Sequence, residues 1–215
     1  MKRTILITLM AIIAGFVSSC VVDKSGLPDS ANAAYTYQPL TAGSTWVYKN
    51  TDSLTVDTNT VTMTSSTQTI GNNIFHLATS LENGSTDQGY YGINHHLYTM
   101  TDQQSGFQLT YLDDTKPVGG TWGISYSDST GTLRLTGTTI EKNINHTILG
   151  KTYNNVIHTR LTFQLSIAAD PSGGLNMSGY FTSDFYIAAN IGIIEIDDHS
   201  SIDNSKTELI SSQIK

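Results

Sequence analysis

Apolar and polar residues alternate along much of the chain with a period of two. The clearest run covers residues 157–167, where Leu161, Phe163 and Leu165 alternate with polar side chains, and residues 180–187 repeat the pattern. Successive side chains of a β-strand point to opposite faces, so this alternation predicts half-buried strands. No stretch shows ten or more residues of helical periodicity. The sequence therefore predicts an all-β protein.

Shorter runs rich in Thr, Val, Ile and Tyr predict further strands, because these residues suit a pleated surface. These runs cover residues 45–49, 55–70, 74–81, 89–100, 107–112, 121–126, 133–140, 191–196 and 207–214. Turn-forming pairs such as Asn83-Gly84 separate them. Hairpin-type turns at this short spacing indicate an antiparallel sheet, which we place in a single domain at residues 38–215.

A short internal echo marks two of the predicted strand entries. Gly43-Ser44-Thr45-Trp46 recurs 76 residues later as Gly119-Gly120-Thr121-Trp122, and a proline precedes each copy. Both copies predict a flexible turn followed by an aromatic side chain that fills the core. The echo by itself is too short to establish a duplication.

The first twenty residues predict the location of the protein. Lys2 and Arg3 precede a mostly apolar stretch at residues 5–17, which is too short for a permanent transmembrane helix. The sole cysteine, Cys20, follows two serines, and this arrangement resembles the lipobox of bacterial lipoproteins. The resemblance implies a signal peptide at residues 1–19 and a lipid on Cys20, with residues 20–37 as a flexible tether. It also implies sorting to the outer membrane, because the residue after Cys20 is Val21 and not Asp.

Composition narrows the class of protein further. Thr and Ser supply 54 of the 215 residues, whereas charged residues supply 13%, about half the usual share. Without the signal peptide, 9 Lys and Arg residues stand against 18 Asp and Glu residues, which gives a formal charge of −9. Such a body is repelled by nucleic acid and anionic head groups, so we expect the lipid to provide the anchoring. The composition also argues against a coiled coil or helical bundle.

Several segments resemble a group of uncharacterised Gram-negative bacterial lipoproteins. Residues 37–48 (YQPLTAGSTWVY) are similar to the start of their mature domains, and residues 150–156 to a turn and strand in mid-chain. Residues 186–194 (YIAANIGII) resemble a late segment of the group, although Ala189-Asn190 stands where Pro-Gly is common, and residues 208–212 fit its last strand. The resemblance implies one antiparallel sheet curved into an open half-barrel or lipocalin-like barrel, with a β-sandwich as the alternative. It implies no catalytic residues.

Two acidic or histidine pairs are candidates for metal binding. In a regular strand the side chains of His95 and His96 would point to opposite faces, so the pair is not expected to share one metal ion. Asp113-Asp114 lies where a turn is predicted, and solvated turn positions are the expected role. The sequence thus predicts neither a metal site nor a cofactor.

Carboxylates at the end of the chain offer two more candidates. Asp197-Asp198-His199 follows a predicted strand and has the donor atoms of a cation site, but a solvated turn is favoured. Asp184 and Glu195 fall on successive predicted strands and are a candidate acid–base pair for glycoside hydrolysis, which requires a separation that sequence does not define. No motif of a serine hydrolase, zinc protease or phosphate-binding loop occurs.

Aromatic residues on neighbouring predicted strands are candidates for a sugar-binding or lipid-binding surface, although cross-strand packing is their more frequent role. This set comprises Tyr90, Tyr91, Tyr98, Phe107, Tyr111 and Tyr126. Trp46 and Trp122 are predicted to fill the core.

The sequence as a whole favours a non-catalytic outer-membrane lipoprotein. Its predicted partners are the membrane, through lipid on Cys20, and an apolar or glycan ligand or an envelope protein. A hydrolase acting on envelope polymers or glycans is the main alternative, and a structural subunit of a surface assembly is another. Cys20 is the one site residue that the sequence assigns; no catalytic residue is assigned.

Overall fold

The computed structural model describes residues 36–101, 107–127, 131–167, 177–200 and 204–215. These residues form twelve β-strands and no helix, which confirms the all-β prediction. The strands are β1 (Thr45–Thr51), β2 (Val56–Ile70), β3 (Asn73–Glu82), β4 (Ser85–Asn94), β5 (Leu97–Thr101), β6 (Gln108–Asp113), β7 (Thr121–Ser127), β8 (Gly131–Ile148), β9 (Lys151–Ile167), β10 (Met177–Ala188), β11 (Gly192–His199) and β12 (Asn204–Gln213). The predicted signal peptide, Cys20 and the tether as far as residue 35 lie outside the described residues.

All twelve strands belong to one antiparallel sheet in the order β6-β5-β4-β3-β2-β1-β12-β11-β10-β9-β8-β7. The sheet curls into a nearly closed barrel, and the single seam lies between its edge strands, β6 and β7. Side-chain contacts bridge the seam: Trp122 Nε1 donates to the Thr110 carbonyl at 3.0 Å, and Thr159 Oγ1 donates to the Tyr111 carbonyl at 2.8 Å. The prediction of one curved sheet is confirmed, and the β-sandwich alternative is wrong.

Successive turns alternate between the two ends of the barrel because neighbouring strands run antiparallel. The segment before β1 lies at the same end as the connections β2–β3, β4–β5, β6–β7, β8–β9 and β10–β11 and the residues after β12. We name this the proximal end. The connections β1–β2, β3–β4, β5–β6, β7–β8, β9–β10 and β11–β12 lie at the distal end.

The predicted strand at residues 89–100 is wrong, because a two-residue turn at His95-His96 divides it into β4 and β5. Both histidines have positive φ angles, 47° and 72°, as in type I′ hairpin turns. These turns usually carry Asn-Gly, whose residues tolerate positive φ, so a His-His pair gives no turn signal in the sequence. The eleven predicted strands therefore become twelve.

Apolar side chains fill much of the inner face of the sheet. One core packs β5 and β6 against β8–β11, and within it the rings of Tyr111 and Phe185 stack with centroids 5.8 Å apart. A second core surrounds Trp46, which is only 2% exposed. Trp122 packs against the first core. Both tryptophans therefore pack against a core, as the sequence predicts.

The internal echo extends to the hydrogen bonds of the backbone. Residues 43–44 form two hydrogen bonds with Met63. The Gly43 amide donates to the Met63 carbonyl at 2.8 Å, and the Met63 amide donates to the Ser44 carbonyl at 2.9 Å. Residues 119–120 form the same two bonds with Thr139, at 2.8 and 3.0 Å. Every partner lies 76 residues after its counterpart. The chain therefore enters β1 and β7 through turns with the same backbone hydrogen bonds.

Candidate functional site

Buried and half-buried polar side chains form a continuous strip on the inner face, in the distal half of the barrel. Strand alternation puts Asn50 on the face of Trp46, and Ser183 on the face of Phe185, which are both core residues. The inner strip crosses six strands, from β10 through β11, β12, β1 and β2 to β3. It consists of Ser183, Asp198, Ser205, Thr207, Asn50, Asn59, Ser80 and Glu82.

Asp198 holds one half of the inner strip together. Ser183 Oγ and Ser205 Oγ donate to its two carboxylate oxygens at 2.5 and 3.1 Å. Burial raises the pKa of Asp198 above its usual value, although the two hydroxyl groups oppose that rise. The prediction that residues 197–199 form a solvated turn is wrong, because they lie within β11.

Asn50 connects the other half of the inner strip. Its amide nitrogen lies 3.3 Å from both Asn59 Oδ1 and Glu82 Oε1, and its amide oxygen accepts a hydrogen bond from Thr207 Oγ1 at 3.0 Å. Asn59 in turn donates to Ser80 Oγ at 3.0 Å. The amides and hydroxyl groups can donate and accept hydrogen bonds, and the carboxylates accept them, so the strip offers both donors and acceptors to a ligand.

The opposite, outer face of β9–β12 carries a cluster of histidines and carboxylates. His158 pairs in register with Tyr186, which pairs with Glu195; one row further along, Arg160 pairs with Asp184. Their side chains alternate with core residues, so they share one face. We name this the histidine–carboxylate cluster; its members are Glu141, His146, His158, Arg160, Asp184, Tyr186, Glu195 and Lys206.

Asp184 is held by one imidazole and one guanidinium group. His158 Nε2 lies 2.7 Å from Asp184 Oδ1, while Arg160 donates to both carboxylate oxygens at 2.9 and 3.0 Å. Burial raises the pKa of Asp184, but the hydrogen bonds from His158 and Arg160 outweigh burial and hold the pKa below its usual value. The other nitrogen of His158 lies 3.2 Å from Glu141.

Glu195, the strand neighbour of Tyr186 on β11, is also held by two basic side chains. His146 Nε2 lies 3.2 Å from Glu195 Oε2, and Lys206 Nζ lies 3.1 Å from Oε1. The Tyr186 ring stacks on His146 at 3.9 Å and on His158 at 4.3 Å between centroids. Three register shifts at residues 139–146 of β8 carry His146 over this face, where it reaches β11.

The histidine–carboxylate cluster fastens the bulged end of β8 to the sheet and lacks the features of a hydrolase site. A glycosidase requires a general acid with a raised pKa and a second free carboxylate. The pKa of Asp184 is lowered, and cationic side chains hold both Asp184 and Glu195. The sequence named these two carboxylates but missed His146 and His158, because their partners depend on strand register.

The other predicted metal candidates take structural positions. Asp114 Oδ1 lies 2.6 Å from His96 Nδ1, and Asp114 Oδ2 accepts a hydrogen bond from Tyr98 at 3.1 Å. Burial and the Asp114 carboxylate raise the pKa of Tyr98 to about 12. Asp113 accepts hydrogen bonds from the Thr115 amide and hydroxyl group. Among the described residues, no group of three or more His, Cys, Asp or Glu side chains could hold a metal ion.

The described members of the aromatic set pack within the sheet and offer no open surface. Tyr90, Tyr98, Phe107 and Tyr111 are buried. Burial also raises the pKa of the Tyr91 hydroxyl group. The side chain of Tyr126 lies outside the described residues. No helix that could cross a membrane occurs in the part of the chain that the structure describes.

Two solved structures are similar to this single-sheet barrel in fold. One is "a putative lipoprotein" from Parabacteroides distasonis, with 10% identity, a TM-score of 0.50, and coverage of 83% of this chain and 99% of that chain. The other is "a putative exported protein with YmcC-like fold" from Bacteroides fragilis, with 9% identity, a TM-score of 0.52 and the same coverage. At this identity the likeness concerns the fold alone. No protein-family model matches the sequence, and no curated protein does.

Proposed function

We propose that this protein is a non-catalytic lipoprotein of the outer membrane that binds a hydroxyl-rich ligand, such as a glycan, on the inner strip. The observation that carries the proposal is the continuous row of buried and half-buried amide, hydroxyl and carboxylate groups across six strands. Sugar hydroxyl groups both donate and accept hydrogen bonds, and these side chains offer both partners. The stacked rings of Phe163 and Phe181, 4.1 Å apart, lie beside Ser183 on the same face.

An apolar ligand is less well supported than a glycan. The proximal half of the inner face already holds packed aromatic rings, among them Trp46, Tyr98 and Tyr111. A ligand there would have to displace side chains that are 5% exposed or less. The inner strip, in contrast, lines the distal half between β10 and β3 with polar groups, most of which still contact solvent.

Support for the anchor comes from the chain before the barrel and from the two proteins of the same fold, one named as a lipoprotein and the other as exported. Metabolic labelling with an alkyne fatty acid should modify the wild-type protein and leave Cys20→Ser unmodified. Equal labelling of both chains, or none of either, would contradict the anchor.

A glycan array of envelope and plant oligosaccharides, followed by calorimetry on any hit, tests the binding site. Asn50→Ala should weaken binding about tenfold, which corresponds to about 1.4 kcal/mol. Lys49→Ala is the matched control: Lys49 is the preceding residue, and it faces the other side, where it contacts Glu208 at 3.5 Å. The control should bind as the wild type does. Absence of any hit, equal loss in both variants, or release of cleaved glycan would each refute the proposal.

A further inference from the structure

The chain enters the barrel at a fixed point of the proximal end. The Asn190 amide donates to the Thr36 carbonyl at 2.6 Å, and the Thr36 amide donates to Asn190 Oδ1 at 3.2 Å. Asn190 lies in the β10–β11 turn, so the tether joins the barrel there. Fifteen residues separate Cys20 from Thr36, and this length reaches about 55 Å when fully extended. A lipid on Cys20 would therefore tether the barrel by its proximal end, but a tether of this length would not by itself fix which end faces the membrane.

Exposed aliphatic side chains surround this point. Each of the other four proximal connections presents one near its turn: Ile74 is 61% exposed, Ile93 37%, Val118 62% and Leu149 51%. Ile214, which follows β12, is 37% exposed. Isolated exposed apolar residues are common on protein surfaces. Here, however, all four of the remaining proximal connections carry one, so together they form a ring around this end.

Charge differs between the two ends. Lys116, Lys151 and Lys215 lie at proximal connections or next to them, and the Lys142 ammonium group reaches the carbonyl groups of Asp114 and Lys116 there, at 2.8 and 3.2 Å. Lysine ammonium groups pair with lipid phosphates at a bilayer surface. Asp113 and Asp114 lie at the same connection as Lys116, but Lys116 Nζ lies 3.7 Å from Asp113, and His96 Nδ1 lies 2.6 Å from Asp114. The proximal end therefore combines aliphatic side chains with lysines and with carboxylates that already have partners.

The distal end also exposes aliphatic side chains, but acidic residues accompany them. Leu54 is 73% exposed, yet it follows Asp52 in the β1–β2 turn; Leu81 is 52% exposed, yet it precedes Glu82 at the end of β3. Carboxylates at this end oppose contact with anionic head groups. The proximal end is therefore better suited to a lipid surface than the distal end.

An open depression lies at the proximal end. Its volume is about 330 Å³, and Pro39, Leu40, Ile93 and Ile214 supply apolar lining, with Lys215 among the lining residues. An apolar lining next to an ammonium group suits the boundary between lipid head groups and acyl chains.

We propose that the proximal end is a docking surface for the phospholipid bilayer that carries the Cys20 lipid. The ring of Ile74, Ile93, Val118, Leu149 and Ile214 enters the interfacial layer, and the lysines pair with phosphate groups. The distal mouth and its inner strip then face away from the membrane. This inference rests on the proposed lipid anchor, and it adds an orientation that the anchor alone does not impose.

Single-cysteine labelling tests the orientation, because Cys20 is the only cysteine and its lipid blocks labelling. Leu149→Cys and Val118→Cys report on the proximal end, while Leu54→Cys and Leu81→Cys are matched exposed controls at the distal end. Each lipidated variant is labelled with an environment-sensitive fluorophore and reconstituted in vesicles of phosphatidylethanolamine and phosphatidylglycerol. We expect blue-shifted emission and several-fold stronger quenching by lipid-borne nitroxide at residues 118 and 149 only.

The two proposals fail in different ways in this experiment. If the lipidated chain does not float with the vesicles, the anchor is refuted. If the chain floats but all four labels report water, or the distal labels are quenched as strongly as the proximal ones, the anchor stands and the docking surface is refuted.

Discussion

The imidazole of His158 lies 2.7 Å from the carboxylate of Asp184 on the neighbouring strand, and the guanidinium of Arg160 holds the same carboxylate through two more hydrogen bonds. The Asp184 side chain is only 6% exposed. Replacing it with Asn removes the charge that pairs with the Arg160 guanidinium and weakens the hydrogen bond with His158. We therefore expect Asp184→Asn to lower the free energy of unfolding by about 2 kcal/mol in urea denaturation.

Asp197→Asn is the matched control for that measurement. Asp197 pairs in register with Asp184, but its side chain is 32% exposed and lies 3.6 Å from His199. Exposed ion pairs contribute about 1 kcal/mol at most, so a smaller loss is expected. Equal losses in the two variants would mean that Asp184 contributes no more than a surface pair.

The pH dependence of stability should show opposite signs for two buried carboxylates. The pKa of Asp184 is lowered in the folded protein, so its contribution is present above the usual carboxyl pKa and is lost as pH falls through the folded value. The pKa of Asp198 is raised, so its ionisation opposes folding as pH rises. Relative to wild type, Asp184→Asn should lose stability as pH rises to about 4, and Asp198→Asn should gain stability as pH rises above about 4. Parallel curves for the two variants, recorded by thermal unfolding, would disprove this assignment.

A substitution at one of the two histidines in the β4–β5 turn should stabilise the protein. His95 has a φ of 47°, which Asn adopts at lower cost than His. We expect His95→Asn to raise the free energy of unfolding by about 0.5 kcal/mol, with a higher Tm. His96→Gly should give no such gain, because it removes the bond between His96 and Asp114. A gain from His96→Gly as large as that from His95→Asn would show that this bond contributes nothing.

Gly137 gives a test of how the seam is closed. A methyl group at Gly137 would overlap the Trp122 ring, which lies against it and bonds across the seam to Thr110. Gly137→Ala should therefore lower the free energy of unfolding by about 2 kcal/mol and shift tryptophan fluorescence. Gly89→Ala, also within a strand, meets no atom within 4 Å and should change stability little or raise it slightly. Similar stability in both variants would contradict the packing at the seam.

Local patterns in the chain were enough to predict most of the strands. Alternation at residues 157–167 identified β9, and the echo at residues 43–46 and 119–122 identified equivalent entries to β1 and β7, which the backbone bonds of Met63 and Thr139 now extend. The turn at His95-His96 was missed because neither residue carries the usual preference for positive φ. The lipid on Cys20 is a prediction that the described residues do not test.

The sequence by itself determined the all-β class, the antiparallel pairing and the residues that could carry charge inside the sheet, because these follow from period-two alternation and short turns. Only the tertiary structure decided which charges meet. His146 reaches Glu195 because three shifts of register bend β8 across two strands, and Asn50 joins Thr207 although 157 residues separate them. Such contacts depend on how strands from distant parts of the chain align, and a shift of one residue would turn each side chain to the other face.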